Sequence, residues 1–174
     1  MELKMNPLIS EAEISKRVKE MAKEITEDLK DQRLMVVGVL KGSFMFYSDL
    51  IRELDLELIC DFCSVSSYQG AKSSGEVRLT MDLSHSVHGQ NVLIIEDIVD
   101  TGLTMQFLQN HIASRNPKSL RTAGLLLKPD AMKVDCKVDY VGFQIANDFV
   151  VGYGLDYENK YRNLPFIAQV QSFN

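Results

Sequence analysis

The chain has 174 residues, of which 45% are hydrophobic and 25% charged, and its net charge is −5. This composition suits one folded domain, residues 1–174, and excludes a largely disordered chain. The acidic balance offers no basic face to a nucleic-acid duplex, so a bound phosphate is expected on a small molecule, gripped locally. No apolar run approaches the ~20 residues that span a bilayer, and the opening MELKMNPLIS lacks a signal-peptide core, which predicts a cytoplasmic protein. The three cysteines, Cys60, Cys63 and Cys136, do not make a disulfide framework. Cys60-x-x-Cys63 lies in an apolar, strand-like stretch, where positions three apart face opposite sides. With no second Cys or His pair at ligand spacing, it reads as structural rather than zinc-binding.

Taken in chain order, the first predicted element is a helix. Ser10 and Glu13 form a capping-box pattern, and Ile14, Val18, Met21, Ile25 and Leu29 recur at spacings of three and four as one apolar stripe. The run LMVVGVL at 34–40 is almost continuously apolar, as in strands buried on both faces. A helical pattern at about 44–54 and a strand at about 56–65 follow. Next come a polar stretch at 66–75 (SSYQGAKSSG), read as a lid or as a plain hairpin loop, and a strand at 76–83. NVLIIE at 91–96 is a third buried-type run, followed by a helix from about 101 to 114. Further strands are expected at 122–127 and 140–145. Strands alternating with helices predict an α/β domain with a mainly parallel sheet. In such sheets ligands bind at the carboxyl ends of the strands, which marks Lys41-Gly42, residues 96–104, Lys128 and the segment after Ile145.

The segment after NVLIIE carries the most chemistry. Glu96 and Asp97 are adjacent acids at a strand end, and burying them is costly unless a cation or hydrogen-bond donors meet them. Ribose hydroxyls with a nearby Mg²⁺ would do so. Asp100 follows in a turn. Thr101-Gly102-Leu103-Thr104 then opens a helix, where free backbone N–H groups and a glycine make a phosphate cradle. A ribose 5-phosphate fits this order. The competing reading has Asp100 or Thr101 merely capping the helix, with Glu96 and Asp97 solvated.

LIIEDIVDTGLT at 93–104 resembles the phosphoribosyl pyrophosphate motif of the type I phosphoribosyltransferases, and within them the hypoxanthine-guanine branch. The resemblance implies a Rossmann-like, mainly parallel sheet flanked by helices, with a small hood formed by terminal segments. It implies that Glu96 and Asp97 hold the ribose hydroxyls and the metal, that 100–104 binds the 5′-phosphate, and that Asp100 is the general base. Leu103 stands where some relatives have lysine, which shifts phosphate binding here to backbone amides and threonine hydroxyls.

Other segments join the resemblance. Val39-Leu40-Lys41-Gly42-Ser43 is similar to the family's pyrophosphate loop, where relatives often hold the bond before the lysine in cis. Ser67-Tyr68 resembles the pair in its mobile catalytic loop. Lys128 matches the lysine that contacts the 6-oxo group of the purine; a neutral oxygen wants a donor, and adenine's amino group would be rejected there. In residues 139–165 the resemblance makes Phe149 the ring that stacks on the base, Val150 a backbone contact to it, Asp156 a carboxylate near the base and a second metal, and Arg162 a pyrophosphate ligand. By composition alone Phe149 and Val150 could be core, and Asp156 with Arg162 a surface ion pair. His85, His88 and His111 form no set. The expected activity is Mg²⁺-dependent transfer of phosphoribose to hypoxanthine and/or guanine by a homodimer or homotetramer. The alternatives are a xanthine-preferring transferase and a non-catalytic nucleotide-sensing regulator on the same fold.

Overall fold

The computed structural model describes residues 3–67 and 77–172. Tyr68 and most of the polar stretch at 66–75 therefore lie outside the described residues, and Ser67 is the last residue of a strand.

The first helix, α1 (Glu11–Asp28), starts where its capping box predicts. Ser10 N–H donates to Glu13 Oε2 at 2.8 Å, and Glu13 N–H donates back to Ser10 Oγ at 3.3 Å. All five residues of the predicted stripe are buried. Strands β2 (Leu34–Leu40), β3 (Leu58–Ser67), β5 (Asn91–Val99), β6 (Ser119–Leu127) and β7 (Tyr140–Gln144) pair in parallel, and β4 (Val77–Met81) closes the β3 edge antiparallel. The order is β4-β3-β2-β5-β6-β7. Helix α2 (Phe44–Glu53) links β2 to β3, and α3 (Leu103–Ala113) links β5 to β6.

The two faces of this sheet explain the apolar runs. Val36, Leu93 and Ile95 pack with α1 and α2 on one side. Met35, Val37, Val92 and Ile94 pack with Met105, Leu108 and Ile112 of α3 on the other. Alternate residues of one strand thus enter two different cores, so neither side can be polar.

A second, three-stranded antiparallel sheet has the order β1-β9-β8, built from β1 (Lys4–Ile9), β8 (Val150–Val151) and β9 (Ile167–Ser172). This is the expected hood. Its strands escape a reading of local periodicity because β1 is mostly exposed and β8 is two residues long. Only pairing with β9 makes them strands.

The connection after β2 leaves toward β3 and the connection after β5 toward β6, so adjacent β2 and β5 diverge at their carboxyl ends. That divergence opens a crevice at the topological switch point, where open α/β sheets bind ligands.

Candidate active site

Two segments meet in the crevice. Lys41-Gly42 follows β2, and the Leu40–Lys41 peptide bond is cis. Residues 96–104 end β5 and begin α3. The two touch at Gly42: a Cβ built there would lie 1.8 Å from Asp97 Oδ2. A side chain at 42 would drive the Asp97 carboxylate out of place, so glycine is required by close approach.

Glu96 and Asp97 are both buried, at 9% and 7% exposure. Glu96 shares a hydrogen bond with Asp97, and its Oε2 is a buried oxygen with no partner among the described residues. Burial raises the pKa of both acids, and the Asp97 charge pushes Glu96 higher still. Such a pair fits a divalent cation or ribose hydroxyls, either of which would satisfy the orphaned oxygen. No three His, Cys, Asp or Glu side chains converge as a ready metal cage among the described residues, so Glu96, Asp97 and Asp156 are not preassembled around one point. Mg²⁺ commonly takes one or two carboxylates and completes its shell with substrate phosphates and water, which suits this arrangement.

The expected helix at 101–114 starts two residues later, at Leu103. Gly102 is the N-cap with φ of +80°, and no side chain caps the helix. The reading of Asp100 or Thr101 as an N-cap is therefore overturned. Gly102 is also packed from behind, since a Cβ there would meet Met132, Val134 and Cys136 at 2.9 to 3.1 Å. Lys133 N–H donates to Thr101 O at 2.9 Å and holds the loop from the same side. The helix start thus has no side-chain cap for its first N–H groups, and Thr101, Gly102 and Thr104 line a cleft there, the arrangement that receives an anion.

Two clefts of about 230 Å³ each lie side by side. Glu96, Asp100, Thr101, Gly102 and Thr104 line one. Asp97, Asp100, Lys128, Phe149, Val150 and Asp156 line the other. Ile98 and Asp100 belong to both. A larger cavity of about 530 Å³ between α1, α2 and residues 163–165 contains none of the candidate side chains. Size alone would choose a different place; the convergence of strand ends and buried acids favours the paired clefts.

In the second cleft Lys128, at the end of β6, is buried and its Nζ lies 3.2 Å from Asp100 Oδ2. Phe149 is not core: it is 44% exposed and meets Tyr157 edge-on with ring centroids 6.0 Å apart. Val150 is buried and pairs with Gln169 of β9, so the hood supplies this wall. Asp156 and Arg162 form an ion pair, Arg162 Nη2 to Asp156 Oδ1 at 2.6 Å. This matches the ion-pair reading in contact but not in setting, because both side chains are largely shielded. Arg162 Nη1 also donates to Gly154 O at 2.6 Å, and its charge is felt at Asp97.

The network around Asp61 has no sequence signal. Asp61 is a buried carboxylate on β3 that accepts from Ser84 N–H and Oγ–H and from His85 N–H, and lies 3.1 Å from His85 Nδ1. It ties down the turn before β5. Cys60 is exposed and Cys63 buried, on opposite faces as strand geometry requires.

A parallel sheet with a hood, an acid pair at the switch-point strand and an uncapped phosphate-type helix start define a phosphoribosyl-transferring class of protein. Residues 9–158 match the family model described as the phosphoribosyl transferase domain, and the chain belongs to that family. Within it, the chain is 50% identical over 162 residues to a hypoxanthine-guanine phosphoribosyltransferase of Bacillus subtilis, covering 92% of this chain and 90% of that one. It is 48% identical over 170 residues to the enzyme of the same name from Dictyostelium discoideum, with 94% of each covered. A crystal structure of a hypoxanthine-guanine phosphoribosyltransferase from Bacillus anthracis, with a HEPES molecule in its active site, superposes with a TM-score of 0.92 at 46% identity. The match covers 98% of this chain and 100% of that one. A hypoxanthine phosphoribosyltransferase from Staphylococcus aureus superposes with a TM-score of 0.92 at 45% identity, covering 97% and 92%.

Proposed function

We propose that this chain is a hypoxanthine-guanine phosphoribosyltransferase: it transfers the 5-phosphoribosyl group from phosphoribosyl pyrophosphate to hypoxanthine or guanine, releasing pyrophosphate. The observation that carries this reading is the pair of clefts sharing Asp100. One has the donors and acids a ribose phosphate needs, and the other has the lysine and aromatic ring a 6-oxopurine needs.

In this reading the backbone of 101–104 and the Thr101 and Thr104 hydroxyls hold the 5′-phosphate, while Glu96 and Asp97 orient the ribose hydroxyls. Lys41, the amides beside Gly42 and Arg162 meet the pyrophosphate, whose charge grows as the bond to C1′ breaks. Phe149 stacks on the purine, and Val150 lines its edge. Lys128 donates to the 6-oxo group. Asp100 takes the proton from the purine ring as a ring nitrogen attacks C1′. Mg²⁺, held by Glu96 and Asp97 together with substrate oxygens, and a second ion near Asp156 would neutralise charge on the leaving pyrophosphate.

Because Lys128 pairs with Asp100 here, purine binding exchanges that ion pair for two contacts on the base: Lys128 to the oxygen and Asp100 to the ring N–H. A hypoxanthine ring offers both at once and adenine does not.

Self-association belongs to the same proposal. An apolar groove of Leu40, Phe44, Tyr47, Ile51 and Phe62 adjoins the Lys41 loop, and Phe44 is 38% exposed there. A second copy of the chain covering it would bury that surface next to the site.

The deciding experiment supplies Mg²⁺, phosphoribosyl pyrophosphate and, separately, hypoxanthine, guanine, xanthine and adenine. Nucleotide is expected with the first two. Turnover of xanthine in preference to both would move the specificity, and no product from any of the four would overturn the enzymatic reading.

A further inference from the structure

Gly152, Tyr153 and Gly154 all have positive φ, at +100°, +50° and +101°. Three such residues in a row make a sharp turn, and it is wedged tightly. A Cβ on Gly152 would lie 2.1 Å from Phe166 O, and one on Gly154 would lie 2.0 Å from Gly42 O. The turn therefore rests against the loop that follows β2. On its other side it holds Arg162. Gly154 N–H donates to Arg162 O at 2.9 Å, and the Arg162 guanidinium donates back to Gly154 O.

Between the two glycines, Tyr153 is buried and reaches away from the clefts to α2. Its hydroxyl donates to Asp49 Oδ2 at 2.5 Å. Asp49 is also held by Arg52 one turn later. Helix α2 begins directly after Lys41-Gly42-Ser43 and is seated by Ser43, fully buried, whose Oγ donates to Val39 O at 2.7 Å. The hydroxyl of Tyr153 thus links the turn that carries Arg162 to the helix that carries the Lys41-Gly42 loop. A left-handed φ at a bulky non-glycine residue is strained, and it persists where surrounding contacts hold it.

We infer that Tyr153 and Asp49 are positioning residues that set the spacing between Arg162 and the Lys41-Gly42 loop, and so tune affinity for the pyrophosphate end of phosphoribosyl pyrophosphate. Neither side chain lines the paired clefts, so neither touches substrate. The inference rests on the proposed role of Arg162.

Steady-state kinetics and thermal melting of Tyr153→Phe, Asp49→Ala and the double variant test it. Removing the hydroxyl is expected to raise KM for phosphoribosyl pyrophosphate about fivefold, while KM for the purine and kcat stay near wild type. Asp49→Ala should do the same, the double variant should be no worse than the worse single, and Asp49→Asn, which still accepts the hydroxyl proton, should recover most of the affinity. An unchanged KM for phosphoribosyl pyrophosphate in Tyr153→Phe, or a rise in both KM values in step with a lower Tm, would overturn the inference. Arg162→Ala is the control. If it leaves that KM unchanged, the reading of Arg162 itself fails and the inference falls with it; if it raises KM while Tyr153→Phe does not, only the inference falls.

Discussion

Lys128 and Asp100 face each other in the cleft they share with Phe149, Nζ 3.2 Å from Oδ2, with the lysine side chain 7% exposed and the aspartate 47%. A buried ammonium needs an anion or acceptors around it, and Asp100 provides the anion. The ion pair holds both side chains at one cleft, which Phe149 and Val150 also line.

Lys128→Met should keep the buried stem and remove the donor. The expected cost is between about tenfold and about a hundredfold in kcat/KM for hypoxanthine, the range for losing a hydrogen bond from a charged group. The ratio of hypoxanthine to adenine use should shrink with it. Parallel kinetics on the two bases measure this, and an unchanged ratio would remove Lys128 from base selection.

Asp100→Asn preserves shape and still accepts from Lys128, yet it cannot take a proton. A fall in kcat of about 10²-fold or more is expected, with a smaller change in either KM. Full turnover in this variant would rule out the base role.

Gly42→Ala places a methyl on the Asp97 carboxylate, where the approach is 1.8 Å. Displacing Asp97 should lower kcat/KM for phosphoribosyl pyrophosphate by at least about tenfold, or about 1.4 kcal/mol. Purine KM should change less. A fully active alanine variant would show that the Asp97 position is not needed.

Arg17 offers a test of stability away from the site. Its guanidinium donates to Gly142 O at 3.0 Å and Val141 O at 2.8 Å, and it pairs with Glu24 at 2.9 Å. It fastens α1 to β7, the edge strand of the parallel sheet. Arg17→Met should cost about 1.5–3 kcal/mol in denaturant unfolding, at about 2–4 °C of Tm per kcal/mol. Kinetic constants should stay at wild-type values.

Acid stability has a specific contributor in Asp82. The Arg115 guanidinium holds its carboxyl down at about 2 against the opposing effect of burial, with smaller help from the Leu83 N–H and His111. A depressed pKa in the folded state means that the ionised form stabilises the fold. That contribution is complete above the ordinary carboxylate range and is lost as pH falls through about 2. Asp82→Asn should be less stable than wild type near neutrality, and the two unfolding curves should converge on acidification from about pH 4 to about pH 2. Curves that stay parallel over that window would exclude the linkage.

Much of this was legible in the chain itself. The stripe from Ile14 to Leu29 and the capping box fix α1, because helix periodicity and capping are local. The runs at 34–40 and 91–96 announce strands buried on both faces, and the string Glu96 to Thr104 carries its chemistry in order along the chain. The alternation of strands and helices then places these groups at the carboxyl ends of the sheet without any long-range information.

What only the tertiary structure decided involves residues far apart in sequence. The contact of Gly42 with Asp97, the pairing of Lys128 with Asp100, the grip of Tyr153 on Asp49 and the closing of β1 on β9 all depend on how separate elements pack. Local pattern cannot report them, because a residue's periodicity records which face it turns inward and not which partner waits there. The same holds for the N-terminus of α3: the sequence left Asp100 or Thr101 as an alternative cap. Packing of Met132, Val134 and Cys136 behind Gly102, together with its left-handed backbone, set the helix start at Leu103 and left Asp100 to face the cleft.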